Sequence, residues 1–536
     1  MPLFCCCRVA PSVDDMTAHE GQSRLRAGGG AVQTGQEPTS GQLLVACTVI
    51  HAVIAALLLL TAISVFLSYL TANMVQVQEF VDALRAKLSS DSHVLTDPQH
   101  AEFKDSLQRW SNIDLKVPRA IVRPANETDA VTTVKEAVNA SIPFVCASGG
   151  HSTWSTIDQH GFVLDLSLYR EVVPDPANNV VTVKGGVLMK ELQLALNKAG
   201  QFTTVGNGNT VGVIPYFING GISIYTPLIG FGSENIVSAK VITATGDLVN
   251  ASETENSDLL WAVRGAGQFF GVVIELVIRA YPLTRIPGSD DGTRQLGNFV
   301  FAPQQIGDVS RVLNETLIAH PDRISAGHFM IMTAPPDFQQ QILLVAPQFF
   351  GTAEEAAQAF KPLVDLGPIQ HMQLPSTFAT HSDHLEVMCA KGEFKRFTQI
   401  GIDGFNQENF AKLVDLHREL LSTCPGAGRS AFSLEWHSPT KSPRVDTSFG
   451  NEHVDFWLNV LSWYTDPSQH DALIRLDKAA QAQIRAGVDE SAYVSYTNTS
   501  RDDPLEWRYK GAERVARLRE LKKKWDPTGV FTRELL

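Results

Sequence analysis

Between residues 120 and 283 the chain alternates short apolar runs, amphipathic stretches and glycine turns, a pattern that only a layered α/β or α+β domain accommodates. Residues 120–123 read as a strand. Thr128 can cap a helix that turns Val131, Val134 and Val138 inward, and residues 143–146 read as the next strand. The unit ends on Ser148-Gly149-Gly150-His151-Ser152, where the glycines let the backbone approach a ligand and present the imidazole. His151 is therefore a candidate catalytic or cofactor-attachment residue, although a loop histidine taken alone is more often a satisfied surface residue. A second unit follows: a strand over 180–184, the turn Gly185-Gly186, and a helix over 188–198 with Leu192 and Leu196 inward, stopped by Gly200. Residues 238–243 form a further strand before the turn Thr245-Gly246-Asp247, and Gly271-Val272-Val273-Ile274 opens another.

The loop Gly206-Asn207-Gly208-Asn209-Thr210-Val211-Gly212 and the run Asn219-Gly220-Gly221 can form concave anion sites from backbone amides, in a stretch nearly free of positive charge. No G-x-G-x-x-G opens a helix after the first strand, which disfavours a nicotinamide-binding Rossmann domain. A net charge of −13 over 536 residues disfavours nucleic acid as a partner. No zinc-type cysteine spacing appears, so no metal site is expected. Cys5, Cys6, Cys7 and Cys47 precede or enter an N-terminal apolar run, which leaves Cys146, Cys389 and Cys424 for the globular part and no disulfide framework.

Residues 43–70 carry no charged side chain. Such a run exceeds the ~18 apolar residues that suffice to span a bilayer, whereas the apolar core of a cleaved signal peptide is ~7 to 15 residues. We expect one transmembrane helix, a flexible leader over 1–42, and a stem over 71–114 in which Met74, Val77, Val81, Leu84 and Leu88 recur at helical spacing. Three adjacent cysteines beside a membrane segment are candidates for palmitoylation or carry no meaning. The flanking charges set the N-terminus inside only weakly. The sequons at Asn126, Asn139, Asn250, Asn314 and Asn498 all follow the anchor, which fits a catalytic domain that is lumenal or extracellular.

The order of SGGHS at 148–152, TVGV at 210–213, NGG at 219–221, ATGDLVNAS at 244–252 and SDLLWAVRGAGQFFGVV at 257–273 resembles the oxygen-dependent FAD-linked oxidases, which are berberine-bridge-enzyme-like and include fungal secondary-metabolism members. Tyr493-Val494-Ser495-Tyr496-Thr497-Asn498, Tyr509-Lys510-Gly511 and the stretch from Leu518 to Phe531 resemble the closing segment of the same family. The resemblance implies an α+β fold: a two-subdomain PCMH-type FAD-binding domain over 115–285 completed by 488–536, with an inserted α/β substrate domain over 286–487 whose antiparallel sheet lies over the flavin. It further implies FAD attached to His151, held by Gly149, Gly150 and Ser152, by Thr210, Val211 and Gly212, by Gly220 and Gly221, and by Gly271 and Val273.

Three departures bear on this. Gly208 stands where many members carry a second, cysteinyl tether, so a single covalent link or none is expected. The family's G-G-N-F-G pattern appears as Ala266-Gly267-Gln268-Phe269-Phe270-Gly271, losing the asparagine, and Ile214 and Pro215 replace glycines after TVGV. The implied chemistry is hydride transfer from a small organic molecule to flavin with reoxidation by dioxygen, for which Val211 beside the ring leaves room. Tyr493 and Tyr496 are the implied catalytic residues. An ordinary tyrosine of pKa ~10 needs a positive neighbour to act as a base at neutral pH. Residues 433–437 and 456–463 read as strands, so Glu435, His437, Trp457 and Trp463 are candidates to line a pocket. A specialised-metabolite intermediate is the first substrate reading and a carbohydrate the second. A flavin-free, membrane-tethered binding protein is the reading from another class.

Overall fold

The computed structural model describes residues 40–440, 442 and 444–531, and the side chains of 40–50, 53 and 65–74 lie outside that description. The chain divides into a unit over 1–68 and a unit over 69–536. In the first, a helix begins at Ser40 and continues through the boundary to Arg85. The expected leader, with Cys5, Cys6 and Cys7, falls outside the described residues, as do many side chains of the expected membrane segment 43–70. Among the described residues no helix is long and apolar enough to cross a membrane.

The described residues of the second unit carry three larger sheets and a two-stranded pair of Gln201–Phe202 with Tyr281–Pro282. The first orders its strands His93–Leu95, Ala120–Arg123, Phe162–Asp165 and Phe144–Ala147, the last three parallel. The helix Glu127–Asn139 links two of them. Its cap is Asn126, whose Oδ1 accepts from the Asp129 amide at 2.9 Å, and not Thr128. With the helix starting earlier, Ala130, Thr133, Val134 and Ala137 form the buried stripe, while Val131 and Val138 flank it. The strand Phe162–Asp165 was not legible because it is buried throughout and so shows no alternation. Val77, Val81 and Leu84 of the long helix bury against this sheet, as their spacing predicts, and Phe80 stacks on Phe162 at 5.6 Å.

The second sheet is antiparallel, in the order Val172–Asp175, Val180–Lys184, Val272–Arg279, Ile236–Ile242 and Leu248–Ala251. Its core takes Leu192 and Leu196 from the helix Met189–Lys198, which ends at Gly200 with φ 71°. The C-terminal helix Ala512–Trp525 adds Val515, Leu518 and Leu521 to the same core, so the chain's end completes this layer.

The third sheet has eight antiparallel strands, ordered Gln370–Ser376, Arg294–Phe301, Gln341–Phe349, Ser325–Thr333, Ala431–His437, Phe456–Tyr464, Phe394–Ile402 and Val494–Ser495. Its two faces differ in chemistry because side chains alternate along each strand. Phe432, Leu434 and Trp436, with Leu458, Val460 and Tyr464, pack beneath the helices Ala353–Asp365, Leu413–Thr423 and His470–Ile484. The opposite face carries His328, Ser433, Glu435, His437, Asn459 and Gln399, polar side chains set beside Trp457, Leu461 and Trp463 of two small apolar clusters.

Candidate active site

The His151 turn closes because two glycine-rich segments meet backbone to backbone. A Cβ on Gly149 would fall 2.2 Å from the Thr210 carbonyl oxygen and 2.5 Å from the Gly212 nitrogen, and Gly150 has φ 72°. Only glycine permits that approach. The contact delivers Thr210 to His151, whose Nε2 lies 2.7 Å from the Thr210 hydroxyl. Burial, then Lys391 and Lys395, push the His151 pKa down to about 4, so its imidazole is neutral at physiological pH. Among the described residues the amides of Gly149, Gly150, His151 and Ser152 donate to no backbone or side-chain acceptor, although Trp110 donates to the Gly150 carbonyl at 2.8 Å. Four consecutive unbonded N–H groups make an anion-binding concavity of the kind the sequence suggests.

The polar face of the third sheet meets this region directly. Asn207 Nδ2 lies 3.2 Å from His328 Nε2. His328 is directly opposite Glu435 in the strand register, and Glu435 is opposite Trp457. Burial opposes charge on Glu435, but His328, His437 and the Asn459 amide at 2.7 Å outweigh it and hold the carboxyl down at about 2. His437 Nε2 sits 3.6 Å from the same carboxylate. Burial lowers the His328 pKa more than Glu435 raises it, which leaves His328 neutral.

The structure separates the two tyrosines. Tyr496 joins the site: its hydroxyl accepts from the Gly221 amide at 2.9 Å, its ring meets Trp457 at 5.8 Å, and Thr497 donates to the Asn219 carbonyl at 2.9 Å. Burial drives the Tyr496 pKa far up, and Glu435 and Tyr509 add to the shift. Among the described residues no positive group offsets it, so this phenol keeps its proton. Tyr493 lies instead under the Arg485 guanidinium, 4.4 Å from its centroid, and against Trp507.

The remaining predicted residues divide likewise. Val211 packs partly into the core between the two glycine segments, and a Cβ on Gly208 would meet its Cγ2 at 2.9 Å. Gly220 and Gly221 take φ 110° and 76°. Gly271 abuts Val241, and Val273 is buried opposite it in the second sheet beside a ladder irregularity. Ile214 and Pro215 fall in a short helix, Val213–Phe217, that replaces the expected loop. Gln268 accepts from Arg501 at 2.6 Å. Trp457 and Trp463 share the polar face of the sheet, but Trp463 sits at its far end with Trp110 and Lys395. Among the sequons, the Asn126 amide nitrogen is engaged by Asp129 at 2.8 Å and Asn498 is half-buried, while Asn139 and Asn250 are exposed and Asn314 is half-buried. Sequence reasoning missed His328, Gln399 and Asn459, which lie in the strands' polar phase; strict alternation with the apolar face was the available signal.

Residues 118–252 match the model of an FAD-binding domain. The FAD-linked oxidoreductase hasG of Aspergillus fumigatus is 30% identical over 462 residues, spanning 82% of this chain and 96% of that protein. The chain therefore belongs to the FAD-linked oxidoreductases, and is an FAD-dependent oxidoreductase of berberine-bridge-enzyme-like fold. Physcomitrella patens BBE-like 1 superposes with a TM-score of 0.71 at 17% identity, covering 84% of this chain and 97% of that one. The glucooligosaccharide oxidase of Acremonium strictum, whose structure is described as carrying 6-S-cysteinyl, 8α-N1-histidyl FAD, gives 0.71 at 19% identity over 85% and 98%.

The residues present fit a flavin nucleotide. The unbonded amides at 149–152 suit a pyrophosphate, and buried polar atoms without a protein partner, Asn219 Oδ1, His437 Nδ1 and Trp457 Nε1, sit on the two walls that face each other.

Proposed function

We propose that the protein takes a hydride from a carbon bearing a hydroxyl or amine in a small organic molecule, with FAD attached through His151 and dioxygen as the final electron acceptor. The observation that supports this most is the His151 turn, with its unbonded amides and neutral imidazole, set against a sheet face that carries a buried carboxylate. When bound, FAD supplies the two-electron acceptor. Every other task falls to the chain. The amides of Gly149, Gly150 and Ser152 hold the pyrophosphate, and Thr210 fixes the His151 ring by its Nε2, leaving Nδ1 to face the cofactor. Gly208 offers no thiol, so one link is expected.

On the opposite wall, Glu435 is ionised and His328 is neutral. A substrate hydroxyl or ammonium that hydrogen-bonds to Glu435 is oriented there, and its proton passes to that carboxylate as the hydride leaves the adjacent carbon. Tyr496, protonated and anchored on Gly221, donates a hydrogen bond and acts as no base. Tyr493 has no part in this site's contacts. The half-apolar, half-polar wall of Trp457, Asn459 and Glu435 suits a specialised-metabolite intermediate, and we place the anchor at residues 43–70 with the catalytic domain on the lumenal or outer side. The fold likeness to a glucooligosaccharide oxidase favours a carbohydrate as the second reading.

Anaerobic mixing of the holoprotein with candidate alcohols, amines and oligosaccharides tests the reaction. The reading expects bleaching of the flavin band by one class and recovery with stoichiometric peroxide on admitting air. Bleaching by none, or recovery without peroxide, contradicts it.

A further inference from the structure

The residues just ahead of the first parallel strand link the His151 turn to the third sheet. Trp110 donates from its backbone to Gly150 at 2.8 Å, Asn112 donates to the Glu393 carbonyl at 2.8 Å, and Gly392 donates to the Arg109 carbonyl at 3.0 Å. The Trp110 indole stacks on the His151 ring, with centroids 6.0 Å apart and planes 17° off parallel. Its Nε1 donates to the Met388 carbonyl at 2.7 Å, which fixes the indole in its plane. Lys395 lies against the same indole. It is wholly buried, its ammonium donates to the Trp110 carbonyl at 3.0 Å and to the Ala390 carbonyl, and it lies 5.3 Å from the Trp110 ring and 4.5 Å from the Trp463 ring. A buried lysine held by carbonyls and two indoles, without a carboxylate at salt-bridge distance among the described residues, is costly to keep, and packing alone gives no reason for it.

We propose that Trp110, clamped by Lys395, is the positioning residue that holds the His151 ring for bond formation to the flavin methyl group. The inference rests on the reading of His151 as the attachment residue. In the attachment, a bond forms between Nδ1 and the methyl carbon. One methyl hydrogen and the imidazole hydrogen pass with two electrons to the isoalloxazine, and dioxygen then removes both as hydrogen peroxide. The attack needs the Nδ1 lone pair, hence a neutral ring, and it needs the ring held still. The charged groups around His151 are Lys391 and Lys395 from the third sheet and its preceding loop, and Arg109, whose Cδ lies 3.5 Å from a Cβ on Gly150. Glu393 acts on Lys395, and Asp165 and Asp105 act on Lys391. The Cys389 thiol is the remaining titratable neighbour, 3.6 Å from a Cβ on Gly208.

The test uses the full chain made without flavin and mixed with FAD in air at about pH 5.5 and about pH 8, either side of an ordinary histidine. The readout is flavin fluorescence that stays with the denatured protein, alongside reversible FAD affinity before attachment. Wild type is expected to attach flavin at similar rates at both pH values. Trp110→Ala is expected to slow attachment on the order of 10- to 100-fold at both, with Trp110→Phe restoring most of it. Lys395→Met, which removes the ammonium and nearly keeps the volume, is expected to slow attachment at both pH values. Wild-type attachment with unchanged rates in Trp110→Ala and Lys395→Met overturns the inference alone. If Trp110→Ala fails to bind FAD, Lys395→Met decides, and an attachment rate equal to wild type's there overturns it. Wild type that binds FAD and releases all of it on denaturation overturns the His151 reading together with the inference.

Discussion

Glu435 shows how one side chain's surroundings set its role. Outside the protein a glutamate ionises near ~4.3, and here His328, His437 and Asn459 hold it at about 2 despite burial. Ionisation therefore favours the folded state. The contribution is complete above the unfolded value and is lost as the pH falls from about 4.3 through about 2. Glu435→Gln is expected to flatten the fall of Tm over that acid range and to lower kcat by ~100-fold or more at neutral pH. An acid-side slope like wild type's, or an unchanged kcat, contradicts the role assigned to it. Tyr496 makes the complementary point. The chain alone names a tyrosine in the closing segment, and the deciding quantity, the absence of a cation beside its hydroxyl, belongs to the packed state. His151 was legible because glycines surround it in sequence, whereas Trp110 was not, because its partners Lys395 and Gly150 lie far from it along the chain.

At the scale of the element, the strand Phe456–Tyr464 divides its work by parity. Leu458 and Val460 bury beneath the helices, and Trp457 and Asn459 face the first wall of the site. Leu458→Ala is expected to cost about 2–5 kcal/mol of stability with turnover by the folded protein unchanged. Asn459→Ala removes the 2.7 Å hydrogen bond to Glu435 and is expected to lower kcat by at least about tenfold at a cost of about 1–3 kcal/mol. Thermal melts and steady-state rates on the two variants check the division, and a loss of turnover at Leu458 equal to that at Asn459 contradicts it. The strand itself was readable from its composition. The strand Phe162–Asp165 was not, since burial on both faces removes alternation, and the cap at Asn126 escaped because Thr128 two residues on offers the same chemistry.

At the scale of the whole molecule, the site exists because distant segments converge. The turn at 148–152 and the loop at 206–212 come from different layers, the polar sheet face from residues 325–464, and Tyr496 from the closing segment, whose strand Val494–Ser495 adds the last edge to the third sheet. The family resemblance supplied this convergence in outline, and spacing alone supplied only the local units. The central claim is that this assembly holds FAD by one covalent bond at His151. An absorbance spectrum of the purified protein before and after acid precipitation tests it most directly, with His151→Ala beside it. The account predicts that the flavin spectrum stays with the wild-type precipitate and passes to the supernatant in His151→Ala. Flavin released from wild type, or retained by His151→Ala, contradicts it.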